Sequence, residues 1–135
     1  MSLVTTDPNL LYAQDDIVAY KVLEKTSEGK FVSPFWYFEW ELGELYIDDC
    51  VLERYTFPEP FRVAVEKGMF HSCATQEGAY TLKDSLDMLY EREHMYVVAE
   101  CIIPKGSEVI YGKSTGTYAD SLCSKQLKIT KIYDK

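Results

Sequence analysis

Three observations predict an α+β fold: a strand-dominated single domain with a mixed or antiparallel sheet and one main helix near 81–93. Apolar runs of strand length recur along the chain, most clearly Ile17–Leu23, Tyr96–Ile103 and Leu127–Tyr133. One segment, Thr81–Glu93, carries apolar residues at helical spacing: Leu82, Leu86, Leu89 and Tyr90. The 135 residues, 47% hydrophobic and 27% charged, suit one globular domain with a core of its own.

Residues 1–15 are polar with a proline and read as an N-terminal arm, leaving 16–135 as the domain. In Ile17–Leu23 both alternating sets are mostly apolar, which predicts a central strand. Ser27-Glu28-Gly29-Lys30 is a turn, and Phe31-Val32 opens a strand that Ser33-Pro34 ends. Phe35 to Trp40 is the densest aromatic run; Trp36, Phe38 and Trp40 fall on one strand face by period two. Pro58 and Pro60 remove ladder donors, so Phe57–Phe61 is irregular. Phe70–Cys73 is a short strand after a turn at Gly68. Thr75 caps a helical turn over 76–79, and Thr81 with Asp84 resembles a capping box for the main helix. After the strand Tyr96–Ile103, Pro104-Lys105-Gly106-Ser107 turns the chain into Val109–Tyr111. Gly112–Gly116 is a polar loop, 118–124 is ambiguous, and Leu127–Tyr133 closes the sheet.

The formal charge is −8, from 22 acidic and 14 basic side chains, with no basic patch. Phosphate backbones repel such a surface, so direct nucleic-acid binding is not expected. A basic protein partner, or mimicry of nucleic acid toward one, fits the charge better. Cys50, Cys73, Cys101 and Cys123 form no CxxC and read as reduced thiols of a cytoplasmic protein. The first residues lack a secretion signal's basic and apolar regions, and no apolar run reaches membrane-spanning length.

Two resemblances follow from short motifs. Ala19-Tyr20-Lys21-Val22, Ser33-Pro34, Trp40-Glu41-Leu42-Gly43, Lys67-Gly68-Met69-Phe70-His71-Ser72-Cys73 and Tyr118-Ala119 resemble the pattern of small bacteriophage and mobile-element proteins, across most of 17–132. That resemblance points to an accessory role in a phage or mobile element and supplies no activity. The block from His71 to Ile132 also looks like the second half of an ADP-ribosyltransferase domain. There a strand such as His71-Ser72-Cys73 lines the nicotinamide pocket. A helix and a strand ending like Ile103-Pro104-Lys105-Gly106 follow, and the family's opening Arg or His falls near Tyr20-Lys21. The catalytic Glu of that family has no counterpart: no Glu follows Glu108, and Asp120 is one methylene short.

No catalytic residue, metal ligand set or cofactor is therefore expected. His71 and Cys73 share a strand face, the geometry of a thiol–imidazole pair, but no third orienting group accompanies them. A His71 hydrogen-bonded in a turn beside a packed Cys73 is the simpler account. The expected function is a non-enzymatic accessory protein acting by protein contact, with Trp36, Phe38 and Trp40 as contact residues. The alternative is an ADP-ribosyltransferase-like domain that binds NAD or a related nucleotide through Tyr20, Lys21, His71, Ser72 and Tyr118.

Overall fold

In the computed structural model, which describes residues 3–34, 38–90 and 94–134, antiparallel pairing organises the chain. The strands are β1 (Leu3–Thr5), β2 (Leu11–Tyr12), β3 (Ile17–Lys25), β4 (Phe31–Val32), β5 (Glu39–Trp40), β6 (Leu45–Ile47), β7 (Glu53–Phe57), β8 (Arg62–Lys67) and β9 (Phe70–Cys73). After the helix α1 (Gln76–Leu89) come β10 (Met95–Ile103), β11 (Glu108–Ser114), β12 (Asp120–Ser124) and β13 (Gln126–Tyr133). Strand accounts for 52% of the described residues and helix for 11%, so the domain is mostly β rather than the α+β mixture expected.

The sheet runs β6-β13-β10-β3-β9-β12-β11-β1-β8-β7, with β2 on β11, and β4 and β5 beside β3. It consists of two ladders. In the first, β10 registers with β3 from Met95↔Lys25 to Ile103↔Ile17, and with β13 on its other side. Being paired on both edges and covered on both faces, β3 and β10 carry apolar residues on both faces. The second ladder runs from β9 through β12 and β11 to β1, β8 and β7. A single registered pair, Tyr20↔Cys73, joins the two.

The segment expected as an arm belongs to the sheet from residue 3 onward. β1 lies between β11 and β8, and Leu3 is 1% exposed. A Cβ on Gly112 would stand 2.5 Å from the Val4 carbonyl, so glycine lets β1 press against β11. A strand of three residues is too short to show a period.

The helix begins at Gln76 rather than Thr81. Thr75 Oγ1 accepts a hydrogen bond from the Gly78 amide at 3.0 Å, which caps one continuous helix. Its buried face is Gly78, Ala79, Leu82 and Leu86, while Leu89, expected in the stripe, is 71% exposed. Residues 91–93 of the expected helix lie outside the described residues.

Three clusters form the core. Val22, Cys73, Tyr96 and Val98 pack beneath the helix. On the opposite face Ala19, Leu23, Val97, Cys101 and Ile129 pack with Trp40 and Phe70. Under the second ladder, Leu3 meets Val65, Met69, Ile110 and Cys123. Leu3→Ala is expected to cost about 2–5 kcal/mol in chemical denaturation, the usual range for a buried leucine. Hydrogen exchange is expected to quicken in β8 and β7 before β10, because β1 alone links them to β11.

Candidate functional site

Past the Tyr20↔Cys73 pair, β3 and β9 part. Continuing the register would bring Lys21 opposite Ser72, but no further pair forms. Further along, β3 takes a new neighbour: Glu24 and Lys25 pair with Val32 and Phe31 of β4. A cleft of about 250 Å³ opens at the split. Its walls include Lys21, His71, Ser72, Phe38, Phe70 and Leu122. The volume lies just below the usual range for small-molecule sites, about 300–1,000 Å³.

Lys21 is the principal polar feature of this wall. Parting strands leave ladder groups without partners, and its Nζ donates to the His71 carbonyl at 2.6 Å. The ammonium also lies 5.6 Å from the Trp40 ring centroid, within cation–π range. It makes no ion pair among the described residues. Lys21 keeps partial exposure through the cleft, but protein surrounds its charge, and that burial lowers its pKa below the usual lysine value.

Burial also governs the neighbours. It depresses the His71 pKa to about 3, and the nearby Lys21 charge adds to the effect. The imidazole is therefore neutral at physiological pH. Burial raises the Cys73 thiol pKa, outweighing the opposing pull of Lys21. Cys101 is pushed up to about 12, and Cys123 is raised too. These thiols stay protonated, which removes the thiolate a Cys73–His71 nucleophile would need. Cys50 is the exposed cysteine.

Hydroxyls complete the polar lining. Ser72, 6% exposed, has a buried Oγ without a hydrogen-bond partner. Ser114 and Ser121 hydrogen-bond to each other across β11 and β12. A buried hydroxyl costs about 1–3 kcal/mol if left without a partner, so the Ser72 Oγ on the cleft wall is a natural donor to a bound group.

Of the residues expected to bind a ligand, Tyr20, Lys21, His71 and Ser72 line the cleft. Tyr118 does not. It is 67% exposed in the turn between β11 and β12, with φ of 56°. Asp120, the acid nearest the place where the ADP-ribosyltransferase resemblance puts its glutamate, is exposed and pairs with Lys113. The acids on the cleft wall are Asp48 and Glu66, which come from outside that block.

The expected contact residues are placed differently. Trp40 is 3% exposed, and its ring packs on Phe38, Phe70 and Tyr46 at 4.7, 4.9 and 5.1 Å. Its indole Nε1 donates to Ser33 Oγ at 2.8 Å, so Trp40 is core and cannot anchor a partner. Phe38 is half-buried in the same stack and also walls the cleft. Trp36 lies outside the described residues.

Ligand atoms of Asp48, Asp49 and Cys50 lie within 4.8 Å of one another, and neither histidine joins them. No helix among the described residues is long and apolar enough to cross a membrane. No protein-family model, curated protein or solved structure matches this chain.

Sequence reasoning found Lys21 and Ser72 but missed Ser114, Ser121 and Phe70 as neighbours of the same cleft. Only the crossing of strands distant in sequence brings them together. The depressed histidine pKa also sets a pH dependence. An unfolded chain protonates His71 near pH 6.5, whereas the folded one resists to about pH 3. Stability from this residue is complete above about pH 6.5 and is lost as pH falls. Between pH 6.5 and 5, wild type is expected to lose about 1–2 kcal/mol more than His71→Gln in urea denaturation.

Proposed function

We propose that the protein binds a small nucleotide-class ligand in the split of its sheet, without transferring ADP-ribose. The observation that carries this reading is the convergence of Tyr20, Lys21, His71 and Ser72 on one cleft. These residues come from two strands some fifty positions apart, since Lys21 and the His71 carbonyl it contacts are separated by 50 in sequence. Aromatic rings beside a lysine and the unpartnered Ser72 hydroxyl suit a ligand with a flat face and a polar sugar. The resemblance of His71–Ile132 to ADP-ribosyltransferases favours NAD or a relative of it. The absence of a glutamate after Glu108 favours binding over transfer. The small volume favours a mononucleotide-sized portion inside, with any remainder over the mouth.

Calorimetry with NAD, ADP-ribose and a mononucleotide tests this reading. Binding of at least one is expected at sub-millimolar concentration, weakened tenfold or more by Lys21→Met. No heat from any of them at millimolar concentration overturns it.

A second reading is supported by a different surface. In and beside the β7–β8 hairpin, Val51, Tyr55, Phe57 and Phe61 are 83, 65, 44 and 53% exposed. Among the described residues β7 ends the sheet and pairs only with β8. Exposed apolar side chains along a terminal strand suit contact with another protein, the role expected of a phage or mobile-element accessory protein. If this surface serves contact, Tyr55→Ser with Phe57→Ser is expected to abolish capture of a stoichiometric host partner while leaving the thermal midpoint within a few degrees. Equal capture by both forms counts against it.

A further inference from the structure

We propose that Lys21 is a carbonyl-condensing amine, and that the cleft holds an aldehyde-bearing ligand as an imine on its Nζ. Three features of the split support this. Lys21 lines the cavity, and its Nζ has no carboxylate partner among the described residues. Its one hydrogen-bond acceptor is a main-chain carbonyl, at 2.6 Å, which holds the amine at the seam without neutralising a charge. The Ser72 hydroxyl, buried and unpartnered, belongs to the residue that would face Lys21 had the ladder continued.

An amine that must attack a carbonyl has to be unprotonated. Apolar walls shift lysine in that direction, because a buried ammonium loses its hydration. Asp48 and Glu66 line the same cleft, but no carboxylate pairs with Lys21 among the described residues. The Trp40 ring and the His71 carbonyl contact it, and the thiols close enough to act on its charge, Cys73, Cys101 and Cys123, are held protonated by burial.

The step balances without a co-reactant. The neutral amine adds to the aldehyde carbon, its proton passes to the carbonyl oxygen, and a carbinolamine forms. Loss of that oxygen as water gives the C=N bond. Ser72 can donate to the carbonyl oxygen and then to the departing hydroxyl, which supplies its missing partner. The His71 imidazole is neutral and takes no part as an acid.

The ligand class rests on the nucleotide reading: a nucleotide ending in a free reducing ribose, whose open-chain form presents an aldehyde. ADP-ribose has such an end. NAD does not, since its ribose carbon is held in a glycosidic bond.

Reductive trapping separates the two ideas. Wild-type protein would be incubated at pH 7 with cyanoborohydride and ADP-ribose, NAD or pyridoxal, then mapped by peptide mass spectrometry. With ADP-ribose and with pyridoxal, Lys21 is expected to be labelled at least tenfold faster than any other lysine, and NAD is expected to label nothing. Lys21→Arg keeps a cation in place and is expected to lose the fast adduct. Ser72→Ala is expected to slow it severalfold while the thermal midpoint holds. If ADP-ribose gives binding heat but Lys21 is not labelled ahead of the surface lysines, the imine is overturned and nucleotide binding stands. If pyridoxal labels Lys21 quickly but no nucleotide gives heat or adduct, the amine chemistry stands and the nucleotide reading fails. Even labelling of all lysines by every aldehyde overturns the proposal.

Discussion

One pair of residues holds two ladders together. Tyr20 and Cys73 register across β3 and β9, and beyond them the strands separate. A sheet that parts mid-strand leaves main-chain carbonyls without ladder partners, and a buried carbonyl must find a donor. Lys21 supplies one by turning its ammonium onto the His71 carbonyl. The same contact places a costly charge beside a cavity. Burial at this seam sets most of the site's chemistry: the lowered lysine, the imidazole that resists protonation and the protonated thiols around them.

The aromatic stack gives the split its shape. Trp40, Phe38, Phe70 and Tyr46 pack edge-to-face or tilted, and Trp40 is tied to Ser33 through its indole nitrogen. This stack caps the face of β3 that carries Ala19, Lys21 and Leu23, while α1 covers the other face. Both faces of β3 are therefore covered, and the cleft lies where β3 and β9 part. Ligand sites commonly form where a sheet changes partner, because side chains there face space instead of a neighbour.

The −8 charge bears on both functional readings. At short range an acidic protein would repel an anionic nucleotide unless a local cation compensated, and Lys67 stands on the cleft wall beside the Lys21 amine. At long range the same charge steers basic partners toward the surface, where the β7–β8 hairpin offers its apolar residues. A small ligand and a protein partner can use different ends of the sheet, since β7 lies six strands beyond β9's neighbour β3 in the sheet order.

By itself the sequence determined the local pieces. The strands Ile17–Leu23, Tyr96–Ile103 and Leu127–Tyr133 were legible because long apolar runs leave few alternatives, and β3, β10 and β13 fall there. The turn at Gly106 was legible from Pro-Lys-Gly, and Lys21, His71 and Ser72 from short motifs. Tertiary structure decided the rest. β1 has three residues and becomes a strand only because β11 and β8 lie on either side. Trp40 reads the same in a sequence whether it faces solvent or core, and only the stack with Phe70, thirty positions on, buries it. Tyr118 sits two residues before β12, yet a left-handed turn sends it into solvent. Whether Lys21 is a surface cation or a buried amine depends on where two distant strands cease to pair. Local propensity carries no information about that point, because it is fixed by packing among residues far apart in the chain.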